Sequence, residues 1–384
     1  MKLKDKNAPE ITAEAKPDVT ALEKTPKKKR DEAAPEKAPE KKHDEAVPEK
    51  PSDKKKDKDA SENTPEAKAE GAEPEKKAEA KPDGTASKKS SEAKKRRRSN
   101  FFRILKQILV GLLVVIFCAV GSIFFYWQYT KTHYVVRFYQ ETSKKVSRNI
   151  RLIVISDIHN REYGENNETL ISDIRSLKPD LILFAGDMVI KTEDDYQPML
   201  NLVTELNSIA PCYGVMGNHE DERIYLGNDK QLYEKFEKAG LKILRNAQEI
   251  VQIGTDKIQL MGISGTTTYG FEEYGGRRFM DKTSIDPSAY CIVMAHVPIL
   301  FDAQLSDYAF DLGIAGHVHG GIVNLPYFGG LYSEEEGFLP TYYGGRIVLS
   351  NEKPLIISRG LGDSKPIPRI NNMPELVVID VNWY

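Results

Sequence analysis

The first hundred residues contain no Phe, Tyr or Trp, although aromatic residues make up 9% of the whole chain. They consist almost entirely of Lys, Glu, Ala, Pro, Asp and Ser. Such a segment cannot bury enough apolar surface to offset the conformational entropy that ordering would cost. We therefore predict that residues 1–100 form a disordered, solvated tether of mixed charge, and contact of its lysines with acidic surfaces is the alternative.

The chain also lacks an excess of charge of one sign and has few cysteines. Its formal net charge is −2, so nothing in the charge balance indicates a nucleic-acid partner. Of the three cysteines, Cys118 lies in a long apolar run, and Cys212 and Cys291 lie in short apolar segments. We expect the last two to be buried free thiols, with a disulfide between them as the alternative.

One long hydrophobic run stands out against this polar background. Residues 108–127 (ILVGLLVVIFCAVGSIFFYW) carry no charge, and about 20 such residues are what a helix needs to cross a bilayer. No A-x-A-like site follows the run, which argues against a cleaved signal peptide. We predict a transmembrane anchor over residues 101–130, flanked at its far end by Tyr126, Trp127 and Tyr129.

Positive charges are distributed unevenly around this anchor. Only Lys131 and Arg137 closely follow the apolar run 108–127, whereas seven cations precede that run: Lys94, Lys95, Arg96, Arg97, Arg98, Arg103 and Lys106. Cytoplasmic flanks of membrane spans are enriched in Lys and Arg. We therefore expect a single-pass protein of the cell membrane, with the tail in the cytoplasm and residues 131–384 outside the cell.

Residues 131–384 have a size suited to one compact domain. Short apolar segments such as LIVIS, LILFA and CIVMA alternate at first with amphipathic helical patterns, and the second half is rich in strands. This order predicts an α/β fold with two packed sheets and helices on their outer faces.

Five of the predicted strands end at residues with metal-binding side chains. These residues are Asp157 and His159, then Asp187, then Asn218 and His219, then His296, then His317 and His319. One histidine or aspartate alone at a strand end is weak support, because Asp is a common turn residue and most histidines are not ligands. Their joint occurrence is informative, since ligands collect at the carboxyl ends of strands in α/β folds.

The residue types predict a hydrolytic site with two divalent metal ions. Asp157, His159 and His319 would bind one ion, Asn218, His296 and His317 the other, and the carboxylate of Asp187 would contact both. Oxygen and imidazole ligands without thiolate suit Mn²⁺, Fe or Zn²⁺ in a catalytic site rather than a structural Cys₄ zinc.

The order of these residues, D-x-H, G-D, G-N-H-E, H and G-H-x-H, resembles the calcineurin-like metallophosphoesterase superfamily over residues 150–384. AGHVHGG and SRGLGDSKPIPRINNMPEL are most similar to its membrane-linked bacterial cell-envelope branch. The resemblance implies a four-layer α/β/β/α sandwich and in-line attack on phosphorus by a metal-bridging hydroxide. It also implies that His219 is catalytic, protonating the leaving oxygen or holding the phosphate. The family often has Asp where this chain has Ile190, and a polar residue where it has Ile322, which affects the expected substrate more than the metal site.

Two further features allow more than one interpretation. The aromatic segment 324–345 is either a lip over the site or a loop packed on the sheet, and Arg359 and Arg369 either bind phosphate or form ion pairs.

We interpret the chain as a membrane-anchored phosphoesterase acting on a phosphorylated, possibly lipid-linked, envelope substrate. The alternative is a non-catalytic envelope protein that keeps the fold for binding a partner. The sequence does not choose between monoesters and diesters.

Overall fold

The computed structural model describes residues 84–227, 229–264, 275–363 and 367–384, and residues 1–83 of the predicted tail lie outside this range. Helix α1 spans Gly84–Thr130 and includes the predicted anchor. It also includes residues 84–100, which the sequence analysis assigns to the disordered tail. The Ala, Lys, Arg and Glu residues here are good helix formers, and extending an existing helix avoids the cost of nucleation.

The apolar part of α1 is not covered by protein. The stretch Lys88–Thr130 contains an 18-residue window of mean hydropathy 2.9, of which 0% is buried. A helix of a soluble domain normally packs its apolar face on a core. By length and composition this helix can cross a membrane, which agrees with membrane anchoring.

The strands of the domain that follows are numbered in chain order: β1 (Val135–Ser143), β2 (Ile150–Ile155), β3 (Leu181–Ala185), β4 (Cys212–Val215), β5 (Leu241–Ile243), β6 (Ala247–Ile253), β7 (Asp256–Ile263), β8 (Tyr290–Ala295), β9 (Leu312–Ala315), β10 (Asn324–Leu325), β11 (Gly329–Gly330), β12 (Tyr332–Ser333), β13 (Gly337–Phe338), β14 (Gly345–Val348), β15 (Pro354–Ile357) and β16 (Glu375–Trp383). The further helices are α2 (Glu168–Leu177), α3 (Gln197–Asn207), α4 (Asn218–Tyr225), α5 (Leu232–Lys238) and α6 (Gly275–Lys282), with short helical turns at Glu165–Asn167, Phe301–Leu305 and His319–Gly321.

Two six-stranded sheets form the frame of the domain. The first has the order β1-β16-β2-β3-β4-β5, and β2 to β5 run parallel. The second has the order β14-β15-β9-β8-β7-β6, in which β15, β9, β8 and β7 run parallel and the two edge strands run antiparallel to their neighbours. The hairpins β10-β11 and β12-β13 are separate two-stranded ribbons.

Successive side chains along the buried strands point to opposite faces of each sheet, and this alternation produces the layers. Leu152 and Val154 of β2 pack in the core between the sheets, together with Ile292 and Ile314 of the second sheet. The intervening side chains of β2 and β3 pack outward against α2, α3 and α5, and the outer face of the second sheet packs against α6 and the Phe301–Leu305 turn. The order is helices, sheet, sheet, helices, so the predicted four-layer α/β/β/α sandwich is confirmed.

The buried cysteines lie on opposite sides of this sandwich. Cys212 belongs to the core on the outer face of the first sheet, and Cys291 to the core on the outer face of the second. Both are free, as predicted, and burial raises the pKa of each thiol to about 12. A disulfide between them would have to cross two sheets and is therefore excluded.

Candidate active site

The predicted site residues meet at one edge of the sandwich, where strands of both sheets end. The first sheet contributes the segments after β2, β3 and β4, and the second contributes those after β8 and β9. Because these strands run parallel within each sheet, their carboxyl ends lie side by side.

One group of side chains joins the two sheets. Asp157 and His159 follow β2, and His319 comes from the loop after β9; their ligand atoms all lie within 4.8 Å of one another. His319 Nε2 is 3.2 Å from His159 Nε2 and 3.7 Å from Asp157 Oδ1. This is the trio that the sequence predicted around one ion.

A second group contains Asp187, His296 and His317, again within 4.8 Å. His317 Nδ1 lies 3.2 Å from His296 Nε2, which is 3.3 Å from Asp187 Oδ2. Asp187 Oδ2 is also 3.8 Å from His159 Nε2 of the first group. The carboxylate of Asp187 therefore lies between the groups, where the sequence predicted a shared ligand.

The buried oxygen of Asn218 completes the set. Its Oδ1 has no hydrogen-bond partner among the described residues, and Asn218 borders the same cavity as Asp187 and His317. A buried carbonyl oxygen without a partner is costly unless it contacts a donor or a cation. Together with four clustered imidazoles and two carboxylates, this oxygen fits a divalent metal site of mixed N and O ligands.

The imidazoles of the site differ in their protonation. Burial lowers the pKa values of His159 and His319 to about 3, which leaves both imidazoles neutral and able to ligate. Burial also opposes charge on His296, but the adjacent Asp187 raises its pKa to about 10. Against the effect of burial, His296 and its neighbours hold the pKa of Asp187 well below its usual range. The carboxylate of Asp187 thus favours a positive charge in the space between it and the neighbouring imidazoles.

Five of these residues have left-handed backbone conformations that non-glycine residues rarely adopt. Their φ angles are 49° for Asp157, 49° for His159, 53° for Asp187, 74° for His317 and 46° for His319. Each such residue costs roughly 1–3 kcal/mol and persists only where the surrounding fold enforces it. The concentration of strain at this edge is typical of a functional site.

Two glycines make room for the carboxylates. A Cβ on Gly217 would overlap the backbone and side chain of Asp187, and a Cβ on Gly316 would overlap Ser156 and Asp157. In the space left by Gly217, the His219 N–H donates to Asp187 Oδ1 over 2.9 Å. The Gly-Asn-His and Gly-His segments therefore need glycine so that the loops can approach each other closely.

His219 lies beside the metal-type groups and is oriented by a backbone contact. Its Nδ1 accepts the Lys191 N–H over 3.1 Å. His219 also falls within ligand distance of His159 and Asp187, so geometry alone would allow it to bind an ion. The Lys191 contact argues otherwise, because it places the proton of the neutral ring on Nε2, which then donates rather than ligates. Burial also lowers the pKa of His219.

Glu220 is a supporting residue to which the sequence analysis assigned no role. It is fully buried and accepts N–H groups from Asp187 over 2.9 Å, Val189 over 2.9 Å and Gly217 over 2.8 Å. Burial and the neighbouring Asp187 raise its pKa to about 7. An acidic residue in the first turn of a helix is the sequence signal that could have revealed it.

The two arginines left open by the sequence both form ion pairs, but only one lies beside the site. Arg359 Nε lies 3.8 Å from Glu375. Arg369 is buried, donates from Nε to Asp363 over 2.5 Å, and places Nη2 3.1 Å from His319 Nδ1. Since a guanidinium only donates, this contact puts the proton of the neutral His319 ring on Nε2, and an ion bound at Nε2 would have to displace that proton.

A cavity of about 320 Å³ opens over the site. Lys191 and Arg369 bring positive charge to its wall, whereas Ile322, Tyr332 and Ile367 make part of it apolar. Ser333 and Glu335 also border it, so part of the segment 324–345 is a lip, one of its two predicted interpretations.

Comparison with known proteins agrees with this geometry. Residues 150–321 match the family model of calcineurin-like phosphoesterases. This part of the chain is therefore similar to that family, whose members bind divalent metal ions. The chain is a metal-dependent phosphoric ester hydrolase, and we do not retain the interpretation as a non-catalytic binding protein.

Bacterial relatives cover most of their own length in the comparison. Metallophosphoesterase YkuE of Bacillus subtilis is 26% identical over 59% of this chain and 77% of its own. Phosphodiesterase YaeI of Escherichia coli is 24% identical over 60% of this chain and 82% of its own. UDP-2,3-diacylglucosamine pyrophosphatase LpxG of Chlamydia muridarum is 23% identical over 60% of this chain and 83% of its own.

Proposed function

We propose that this protein is a membrane-anchored phosphoesterase with two divalent metal ions, Mn, Fe or Zn, and that it hydrolyses a phosphorylated lipid or lipid-linked envelope intermediate. The ester bond belongs to a phosphomonoester or a phosphodiester. The observation that carries the substrate class is a continuous line of contacts from the end of α1 to the site.

That line consists of four hydrogen-bond contacts. Arg161 Nη1 donates to the Thr130 carbonyl over 3.2 Å, and its Nη2 donates to Asp363 over 2.7 Å. Asp363 also accepts from Arg369 Nε over 2.5 Å, and Arg369 Nη2 lies 3.1 Å from His319. Only three side chains therefore separate the last residue of the proposed membrane helix from a proposed metal ligand.

The short distance to the membrane helix and the apolar wall of the cavity favour a substrate with a hydrocarbon part. Ile322, Tyr332 and Ile367 offer apolar surface beside cations that suit a phosphate. The name of the LpxG relative describes a diacylated substrate, which supports the same class. A lipid held in the bilayer could present its phosphate here without leaving the membrane.

We assign Asp157, His159 and His319 to one ion, Asn218, His296 and His317 to the other, and Asp187 to both. When bound, such ions supply positive charge against the phosphoryl oxygens and allow water to act as a nucleophile at neutral pH. The residues of the chain orient these charges, and Lys191 and Arg369 add fixed positive charge to the cavity wall.

His219 has the geometry of a hydrogen-bond donor to the reacting ester. Since its Nδ1 accepts the Lys191 N–H, the Nε2–H is the group free to reach the leaving oxygen. That hydrogen bond would stabilise negative charge on the leaving oxygen, which takes its proton from water, so the ring stays neutral.

Replacing His219 with Ala should lower turnover by roughly 10²–10³ and leave bound metal unchanged, because the ring donates a hydrogen bond to the leaving oxygen and binds no ion. The loss should be smaller for nitrophenyl esters than for alkyl esters, whose more basic leaving oxygens gain more from this hydrogen bond. Rate measurements on both esters, with metal analysis of each protein, test this. Equal losses on both esters would contradict a role as donor to the leaving oxygen.

For the substrate class, the full chain should be reconstituted in lipid vesicles with Mn²⁺. We expect a higher kcat/KM for a long-chain phospholipid ester in the bilayer than for a short-chain soluble analogue with the same ester bond. Ile367→Ser should reduce hydrolysis of the long-chain substrate more than that of the short one, because Ile367 lies on the apolar wall. Equal kcat/KM values for both substrates would contradict a lipid substrate.

For orientation, we propose that the tail is cytoplasmic and the catalytic domain lies outside the cell. The cation excess before the span supports this, because the cytoplasmic flanks of membrane spans are enriched in Lys and Arg.

Protease added to intact cells should remove a tag placed after Tyr384 and leave a tag before Met1 intact, since only the domain would be accessible. Lysed cells serve as the control, in which both tags should be lost. The reverse result in intact cells would place the site in the cytoplasm and remove the envelope as the source of substrate.

A further inference from the structure

The hairpin β12-β13 has three consecutive glutamates at its turn, Glu334, Glu335 and Glu336. A run of acidic residues at a turn usually points into water. Glu335 instead points into the site, with its side chain only 12% exposed. Its Oε1 forms a hydrogen bond with His317 Nε2, and its Oε2 is buried without a hydrogen-bond partner among the described residues.

This contact determines which nitrogen of His317 can bind an ion. A carboxylate only accepts hydrogen bonds, so His317 Nε2 must carry a proton in order to donate to Glu335. The lone pair of the neutral ring is then on Nδ1, the nitrogen that lies 3.2 Å from His296 Nε2. Glu335 thus fixes the Nε2 side of the His317 ring, and the Nδ1 side faces Asp187 and His296.

The neighbouring ligand is held by an equivalent contact. His296 Nδ1 donates to the Ala185 carbonyl over 2.7 Å, which leaves its Nε2 facing Asp187 and His317. For His296 the acceptor is part of the backbone of β3, whereas for His317 it is a side chain on a surface hairpin. Acceptors of this kind fix ring orientation and make the imidazole a stronger metal ligand.

We propose that Glu335 is a positioning residue for the second metal ion, acting through His317 rather than touching the ion or the substrate. The proposal rests on the metal assignment made under the proposed function. The hairpin that carries Glu335 also borders the cavity through Tyr332 and Ser333. Glu335 therefore links the lip of the cavity to the metal site, and displacement of the hairpin would free His317 to rotate.

The test is metal binding by the full-length protein in detergent, with Mn²⁺ or Zn²⁺ titrated against a competing chelator. In Glu335→Ala, we expect one of the two ions to bind roughly 10–100-fold more weakly, the range for loss of a hydrogen-bond partner of a ligand. The other ion should keep its affinity. For Mn²⁺, the electron paramagnetic resonance signal of a coupled pair should be replaced by that of a single ion at concentrations that saturate the wild type.

Two further variants separate the proposal from its alternatives. Glu335→Gln should retain most of the affinity, because its amide oxygen still accepts from His317 Nε2. Glu334→Ala removes the same charge from the same turn and should leave both affinities unchanged. The unfolding temperature of metal-free Glu335→Ala should equal that of the metal-free wild type. Any loss of metal affinity is then not a folding defect.

Three results would overturn the inference. These are wild-type affinity for both ions in Glu335→Ala, a loss in Glu335→Gln as large as in Glu335→Ala, and an equal loss in Glu334→Ala. Failure of the proposed function is a different result, since the wild-type protein itself would then bind fewer than two ions.

Discussion

The site depends on one buried carboxylate that needs positive charge around it. Asp187 is only 2% exposed, and burial of an unpaired charge costs several kcal/mol. Three imidazoles surround it, those of His159, His219 and His296, and the His219 N–H donates to it. The arrangement is stable when positive charge lies between these groups, and either a protonated His296 or a divalent ion supplies it.

The sandwich fold holds the side chains around Asp187 in fixed positions. Ligands come from two sheets, so the core between the sheets must hold their edges in register; its buried side chains include Leu152, Leu183, Ile292 and Ile314. Glu220 ties the loops after β3 and β4 together through three backbone N–H groups. The left-handed conformations of five site residues are strained, and packing on both sides of each sheet offsets that strain.

Sequence predicted the part of the site that follows from strand topology. Asp157, Asp187, Asn218, His296 and His317 each come directly after a buried strand, so once the strands are recognised their convergence follows. Glu335 and Arg369 could not be predicted this way, because they lie in loops without periodicity and reach the site through the paths of those loops. The proton position on His219 depends on the Lys191 backbone, which no side-chain pattern reveals. The start of α1 at Gly84 was not predicted from the sequence. Residues 84–100 have the polar composition of a disordered segment, but their Lys, Ala, Glu and Arg residues are also good helix formers.

The central claim is that Asp187 contacts two metal ions at once. The most direct measurement is an anomalous difference map from crystals of the Mn²⁺-loaded protein, recorded near the manganese absorption edge. The account predicts two peaks about 3.5–4 Å apart, with an oxygen of Asp187 bound to each. The peak nearer His159 and His319 should be separate from the one nearer His296 and His317. A single peak, or two peaks of which only one contacts Asp187, would contradict it.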